Sequence, residues 1–283
     1  MADAPAPGAT EAAALTAALA PILAHGPRAL ALLLDFDGVL SPIVDDPAAA
    51  RPDPTAAAAL FELAPRIALA ACVTGRPALQ ARELLGLDEL TYSGLHGAEL
   101  LLPGAAEPIV PEAFAADAGL VAGIVDEAEE EAAGLAGLAV ERKGPIIALH
   151  WRRAADPVAA EARAQELAER ARARGLRTGT GRAVLELRPG LEVTKGDAVR
   201  ALLGRTPEAC TALVAGDDVT DLNAFAAARE LALEGPLAAA LLVAVAGDDA
   251  PPAVAAGGDV VVESPAALGA LLEQLARRVS AEA

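Results

Sequence analysis

The chain has 283 residues, of which 54% are hydrophobic, 22% charged and 2% aromatic, and its formal net charge is −18. Such a length and composition describe a globular protein of one large or two moderate domains, with a core built from Ala, Leu and Val rather than from aromatic rings. The acidic balance argues against nucleic acid or an anionic membrane as partner, since both are held by clustered Lys and Arg; any phosphate handled here needs a metal or a few placed cations.

Residues 1–25 form an Ala/Pro-rich lead-in, read as one Ala-rich helix with frayed surroundings. Their acidic residues and missing basic region do not fit a secretory signal. No uncharged apolar stretch reaches the roughly 18 residues of a membrane span, so the expectation is a cytoplasmic, monomeric protein. Cys72 and Cys210 sit in or beside apolar runs, as buried thiols do, and no disulfide is expected. Apolar runs at Ala29 to Leu34, Ile67 to Val73, Thr211 to Ala215 and Leu241 to Val245 end in DFDG, TGR, GDD and AGDD, each followed by helical spacing. This alternation predicts an α/β fold with a doubly wound, Rossmann-like parallel sheet, whose functional residues gather at the carboxyl ends of the strands. The middle differs. A helix over Phe114 to Gly134, a strand-like AVERKGPIIALHWR, a helix over Asp156 to Arg174 and a strand pair in LRTGTGRAVLELRP with its turn at Gly179 to Gly181 predict an inserted α+β layer. The resulting division is 26–105 and 188–283 for the core and 106–187 for the insertion.

Four clusters carry chemistry. In DFDG, Asp35 and Asp37 alternate about Phe36 and fall on one side of a strand end. Two carboxylates so close do not ionise together without a cation, and a hard divalent metal such as Mg²⁺ meets that need; the bland alternative is a turn with two solvated aspartates. GDDVTD adds Asp217, Asp218 and Asp221 after a second strand, either as further ligands or as ordinary turn and helix-cap residues. VTGRP places Thr74, Gly75 and Arg76 at a strand-to-helix turn, where a hydroxyl and backbone amides can hold phosphate oxygens, or simply start a helix. Lys195 and Lys143 are the chain's two lysines against 20 arginines (22 − 2), which marks a place where a compact ammonium is needed and an Arg fork does not fit.

In this order, DxDG, a Thr-Gly-Arg turn, a lone lysine and GDDxxD resemble the motifs of the haloacid-dehalogenase-like phosphatases, and the inserted layer resembles their type-two cap. More narrowly, LDFDGVLSPIVDDP, VTGR, YSGLHGAEL, VERKGPIIALHWRR, LELRPG and GDDVTDLNAF resemble the trehalose-6-phosphate phosphatases, over about Ala31 to Gln274. The resemblance implies a Mg²⁺-dependent hydrolase. Asp35 would be the nucleophile and Asp37 the general acid and base. Asp35, the Asp37 carbonyl and Asp217 would bind the metal, supported by Asp218 and Asp221. Thr74, Gly75 and Lys195 would hold the phosphoryl group, with Arg76 also binding substrate. Glu141, Lys143 and Glu186 of the cap would contact the sugar, with His96, Arg152, Arg182 and Arg188 as weaker candidates. Two departures from the family pattern stand out: Leu222 and Asn223 replace acidic residues after GDDxTD, and Val39 stands where many relatives have Thr.

Two other readings compete with this one. The same chemistry could serve another sugar phosphate, such as sucrose or glucosylglycerol phosphate, or a mutase. A non-catalytic phosphosugar-binding domain could keep the fold, although intact Asp35, Asp37, Lys195 and Asp217 speak against it.

Overall fold

Alternate residues of the run Leu30–Leu34 enter two different cores: Leu30, Leu32 and Leu34 one, Ala31 and Leu33 the other. A strand apolar on both faces must be covered on both, which is the condition for a doubly wound sheet. The structure, a computed structural model, describes residues 9–44, 46–143, 146–181, 183–190, 193–247 and 250–282; the side chains of 9–15, 112–118, 122 and 143 also fall outside that description.

In chain order the elements are α1 (Ala9–Leu23), β1 (Leu30–Leu34), α2 (Pro54–Leu63), β2 (Leu69–Val73), α3 (Ala78–Leu85), β3 (Thr91–Gly94) and β4 (Glu99–Leu101). Next come α4 (Glu112–Gly134), β5 (Ala139–Lys143), β6 (Ile146–His150), α5 (Pro157–Ala173), β7 (Arg177–Gly181) and β8 (Val184–Arg188). The chain continues with α6 (Lys195–Gly204), β9 (Thr211–Gly216), α7 (Asp221–Glu234), β10 (Ala239–Val245), α8 (Pro252–Gly257), β11 (Val260–Val262) and α9 (Pro265–Ala281). Several helices start on side-chain caps: Asp53 for α2, Asp156 for α5, Ser264 for α9, and a Thr194/Asp197 capping box for α6.

Two units result, residues 1–109 with 193–283, and residues 110–192. In the first, seven strands run β11-β10-β9-β1-β2-β3-β4, all parallel except β4, which pairs antiparallel to β3. Helices α1, α2, α3 and α9 fill one face, and α6, α7 and α8 the other. Strand order reverses at β1, which lies between β9 and β2, so the carboxyl ends of these three strands flank the switch point where such sheets place their sites. The second unit is an antiparallel sheet, β5-β6-β8-β7. Val121 and Ile124 of α4 and Leu167 of α5 pack with Ile147, Leu149, Leu185 and Leu187. Register places Glu141, Ala148, Glu186 and Gly179 in one row across its four strands. Lys143 shares a strand face with Glu141 by parity, and its side chain lies outside the described residues.

Several sequence expectations shift. Gly179 and Gly181 belong to β7, paired with Glu186 and Val184, so the hairpin turns after Gly181 rather than within Gly179 to Gly181; Ala183 takes the left-handed backbone there (φ +58°) and Arg182 lies outside the described residues. The unit boundary falls a few residues beyond the 105/106 and 187/188 divisions. A bridge between Leu100 and Ile109 ties the first crossing to the sheet, and the Val193 side chain lies against Gly97 at the second. Strands β3, β4 and β11 were not anticipated, being too short to show a period. The second half of α1 is no frayed lead-in, because Leu19 and Ile22 are fully buried.

The fully buried Thr211 hydroxyl donates to the Ile22 carbonyl at 2.7 Å, with the Ala29 carbonyl at 3.2 Å, and so joins the end of α1 to β9. Thr211→Val keeps the shape and strands the Ile22 carbonyl, while the Ala29 carbonyl still accepts from the Cys210 amide at 2.9 Å, so urea denaturation should show a loss of about 1–3 kcal/mol. An unchanged midpoint would mean that α1 is held by apolar packing alone.

Candidate active site

Asp35 follows β1, Asp217 follows β9 and Thr74 follows β2, so three neighbouring strands deliver three of the sequence clusters to one edge of the sheet. The fourth arrives on a helix: Lys195 is the first residue of α6, behind the Thr194 cap. Its ammonium lies 2.8 Å from Asp35 Oδ2 and 2.7 Å from Asp221 Oδ1, and all three side chains are buried. A buried ammonium without partners is expensive; here two carboxylates, one from each flank, satisfy it.

Asp35 Oδ1 accepts from the Phe36 amide at 2.7 Å. Asp221 Oδ2 accepts from the amides of Asp217 and Asp218, both at 3.1 Å, so this carboxylate shapes the GDD turn and holds Lys195 at once. Gly216 permits it, since a Cβ there would lie 2.2 Å from the Asp221 Cβ. The Asp217 carboxylate is turned towards the DFDG loop and covers Gly38, where a Cβ would meet Oδ2 at 1.9 Å; with φ at +75°, glycine is required at this position twice over. Asp218 is exposed, its Oδ1 accepting from the Val219 amide.

Carboxylate oxygens of Asp35, Asp217 and Asp221 all lie within 4.8 Å of one another. Burial pushes the Asp35 carboxyl up to about 8, with Lys195 opposing and Asp221 adding to the rise. Burial and then Asp221 push Asp217 up to about 7, again against Lys195. On Lys195 itself burial pulls downward, yet the two carboxylates outweigh it and its pKa rises. Three acids crowded about one ammonium carry a deficit of positive charge, which a hard cation with oxygen ligands would remove. The donor set fits such an ion: each Asp35 oxygen has one protein partner and so keeps a lone pair, and Asp217 is turned to the same place, while Asp221 Oδ2 already takes two amides and its Oδ1 the ammonium.

Arg76 and Asp37 form a second group. The guanidinium donates from Nε to Asp37 Oδ2 at 2.7 Å and from Nη2 to Oδ1 at 2.6 Å. The Thr74 hydroxyl is buried and accepts from the Arg76 amide at 3.2 Å, and a hydroxyl that accepts can still donate its own hydrogen. The turn is braced by the YSGLHGAEL segment, in a way sequence reading missed. The Leu95 amide donates to the Arg76 carbonyl, the His96 amide to the Thr74 carbonyl, and Glu99 Oε2 accepts from the Ala78 amide, capping α3 where Pro77 cannot. Leu95 and His96 hold the left-handed backbone (φ +50° and +61°), at about 1–3 kcal/mol each, to make these bonds. The signal visible in the sequence is a lone glutamate directly before the apolar run Leu100 to Leu102.

In the second unit, Glu141 Oε2 lies 2.9 Å from His150 Nε2, and Glu186 Oε2 accepts from Arg188 Nε at 3.1 Å. Glu186 stands two strands from Glu141, with Ala148 between them. Asp248 and Asp249 of AGDD lie outside the described residues. Both cysteines are free thiols, and among the described residues no helix is long and apolar enough to cross a membrane.

The family model for trehalose-phosphatase matches residues 33–246. A trehalose-phosphate phosphatase of Mycobacterium avium is 36% identical over 254 residues, covering 87% of this chain and 62% of that protein. Its Mycobacterium marinum counterpart is 35% identical over 260 residues, covering 88% and 62%. The chain therefore spans under two thirds of the length of these relatives. Among solved structures, an Aspergillus fumigatus trehalose-6-phosphate phosphatase is similar at TM-score 0.62 and 27% identity, over 92% of this chain and 97% of that one. A haloacid dehalogenase-like hydrolase from Bacteroides thetaiotaomicron, at TM-score 0.58 and 15% identity over 87% and 98%, shares the fold.

A folded-state pKa raised in an acid gives stability that is complete below its ordinary value near 4 and is lost as pH rises through the raised one. With Asp35 at about 8 and Asp217 at about 7, the metal-free site weakens the fold between about pH 4 and pH 8, where a cation favours the ionised forms. The melting-temperature gain from saturating Mg²⁺ should then be larger at about pH 8 than at about pH 5, and smaller at both in Asp217→Asn. Equal gains at both pH values would contradict this.

Proposed function

Because this chain belongs to the trehalose-phosphatase family, we propose that it hydrolyses trehalose 6-phosphate to trehalose and inorganic phosphate through an aspartyl-phosphate. The observation that carries this reading is the Lys195 ammonium set between Asp35 and Asp221, with Asp217 turned to the same carboxylate group. A buried nucleophile beside a fixed positive charge suits attack on a phosphate monoester, since such catalysis rests on positioning and charge stabilisation.

Asp35, the Asp37 carbonyl and Asp217 would hold Mg²⁺, which when bound would supply the charge neutralisation that lets an anionic phosphate meet a carboxylate. The chain's own groups do the rest. A carboxylate oxygen of Asp35 forms a bond to phosphorus while the bond from phosphorus to the sugar oxygen breaks, and Asp37 donates a proton to that oxygen. Asp37 then takes a proton from water as the water oxygen attacks phosphorus, the bond to Asp35 breaks, and phosphate leaves. Lys195, the Thr74 hydroxyl and the Gly75 amide hold the transferring oxygens. In the second unit, Glu141, Lys143 and Glu186 bind sugar hydroxyls; the Glu141, Ala148, Glu186 and Gly179 row supports this, because two carboxylates with small residues between and beside them leave room for a polar, many-hydroxyl ligand.

Phosphate release from trehalose 6-phosphate, glucose 6-phosphate and sucrose 6-phosphate, with Mg²⁺ and with EDTA, tests the proposal. Release from trehalose 6-phosphate alone is expected, lost in EDTA and in Asp35→Asn. Glu141→Ala with Glu186→Ala should raise KM for trehalose 6-phosphate about tenfold or more while altering p-nitrophenyl phosphate hydrolysis less than threefold, which is roughly the energy of one or two hydrogen bonds. Release from a different sugar would keep the chemistry and overturn the substrate; release from none would favour a binding domain.

A further inference from the structure

Arg76 stands in a turn that invites assignment to the substrate phosphate, yet its side chain is committed elsewhere. All three guanidinium nitrogens have protein partners: Nε and Nη2 take the two Asp37 oxygens at 2.7 and 2.6 Å, and Nη1 donates to the Pro47 carbonyl at 2.8 Å. The guanidinium carbon lies 5.3 Å from the centroid of the fully buried Phe36 ring, within cation–π range. The Arg76 side chain is 10% exposed, whereas that of Asp37 is 41% exposed. The better-buried partner thus fixes the freer one. A planar fork holding both oxygens sets the plane and the rotamer of a carboxylate, which one-point contacts cannot do. The fork in turn is anchored at three points: the Phe36 ring, the Pro47 carbonyl, and its own backbone in the turn held by Thr74, Leu95 and Glu99.

We propose that Arg76 is the positioning residue of the acid/base Asp37 and not a ligand of the substrate phosphate. This inference rests on the phosphatase reading above for the role of Asp37. It makes the Thr-Gly-Arg turn serve two ends, with Thr74 directed to the phosphoryl group and Arg76 to the residue that moves its protons. Lysine cannot replace it, because an ammonium offers no fork.

The test is a double-mutant cycle of Arg76→Met and Asp37→Asn in the full chain, run on trehalose 6-phosphate and on p-nitrophenyl phosphate, whose leaving group needs no proton. In the wild-type background, Arg76→Met should lower kcat on trehalose 6-phosphate about a hundredfold with KM within about threefold, as misplacing a catalytic group does. The loss on p-nitrophenyl phosphate should be under about tenfold. In the Asp37→Asn background the same substitution should change kcat by less than about twofold, because the group it positions is gone. Arg76→Lys should behave as Arg76→Met, and a retained melting temperature in Arg76→Lys separates positioning from misfolding. Losses that persist in the Asp37→Asn background, or that fall mainly on KM, would place Arg76 on the phosphate and overturn the proposal. A wild type inactive on sugar phosphates but active on aryl and alkyl phosphates would sink only the substrate reading, since phenyl against p-nitrophenyl phosphate then supplies the leaving-group comparison for the same cycle. A wild type inactive on every phosphate monoester would overturn both.

Discussion

A buried ammonium organises this protein. Lys195 cannot leave water without partners, and the two carboxylates that receive it come from the residue after β1 and from the start of α7, elements separated by most of the chain. Meeting that demand aligns β1, β9 and the first turns of α6 and α7 to within hydrogen-bond tolerance. Breaking one partner of such a set costs about 3–5 kcal/mol, so the constraint is structural as well as chemical. The same contacts leave the Asp35 carboxylate buried, aligned and beside a fixed positive charge, which is how a nucleophile for an anionic substrate is held ready.

The remaining groups follow from that arrangement. With one oxygen Asp221 holds the ammonium and with the other it shapes the turn that presents Asp217 to the DFDG loop. Asp217 seats against Gly38, so the sharp turn after β1 and the acidic turn after β9 interlock. Across the switch point, the turn after β2 carries Arg76 to Asp37, and a strained segment between β3 and β4 braces it. Each cluster therefore has both a chemical side and a supporting side. The supporting contacts explain why residues outside the reacting centre, such as Glu99 and Leu95, sit in unfavourable surroundings or conformations.

How much of this was legible in sequence depended on the range of the signal. The strands β1, β2, β9 and β10 could be read because each is an apolar run ended by a polar cluster, a local pattern set by burial on two faces. The inserted α+β layer and its two long helices were legible for the same reason. The hairpin was misplaced because Gly179 and Gly181 look like turn residues, while their actual place is a strand whose partner row includes Glu186. Among the site residues, composition picked out Lys195, and spacing picked out Asp35, Asp37 and Asp217. The divided duty of Asp221 and the pairing of Arg76 with Asp37 depend on contacts between residues 26 and 39 positions apart, which no local pattern records.

The central claim is that Asp35, held by Lys195, takes the phosphoryl group. Acid quenching during turnover of phosphate-labelled trehalose 6-phosphate, followed by peptide mapping, measures this directly. The account predicts label on the peptide containing Asp35, and none in Asp35→Asn. Steady turnover with no labelled peptide at any quench time, or label on a peptide lacking Asp35, would contradict it.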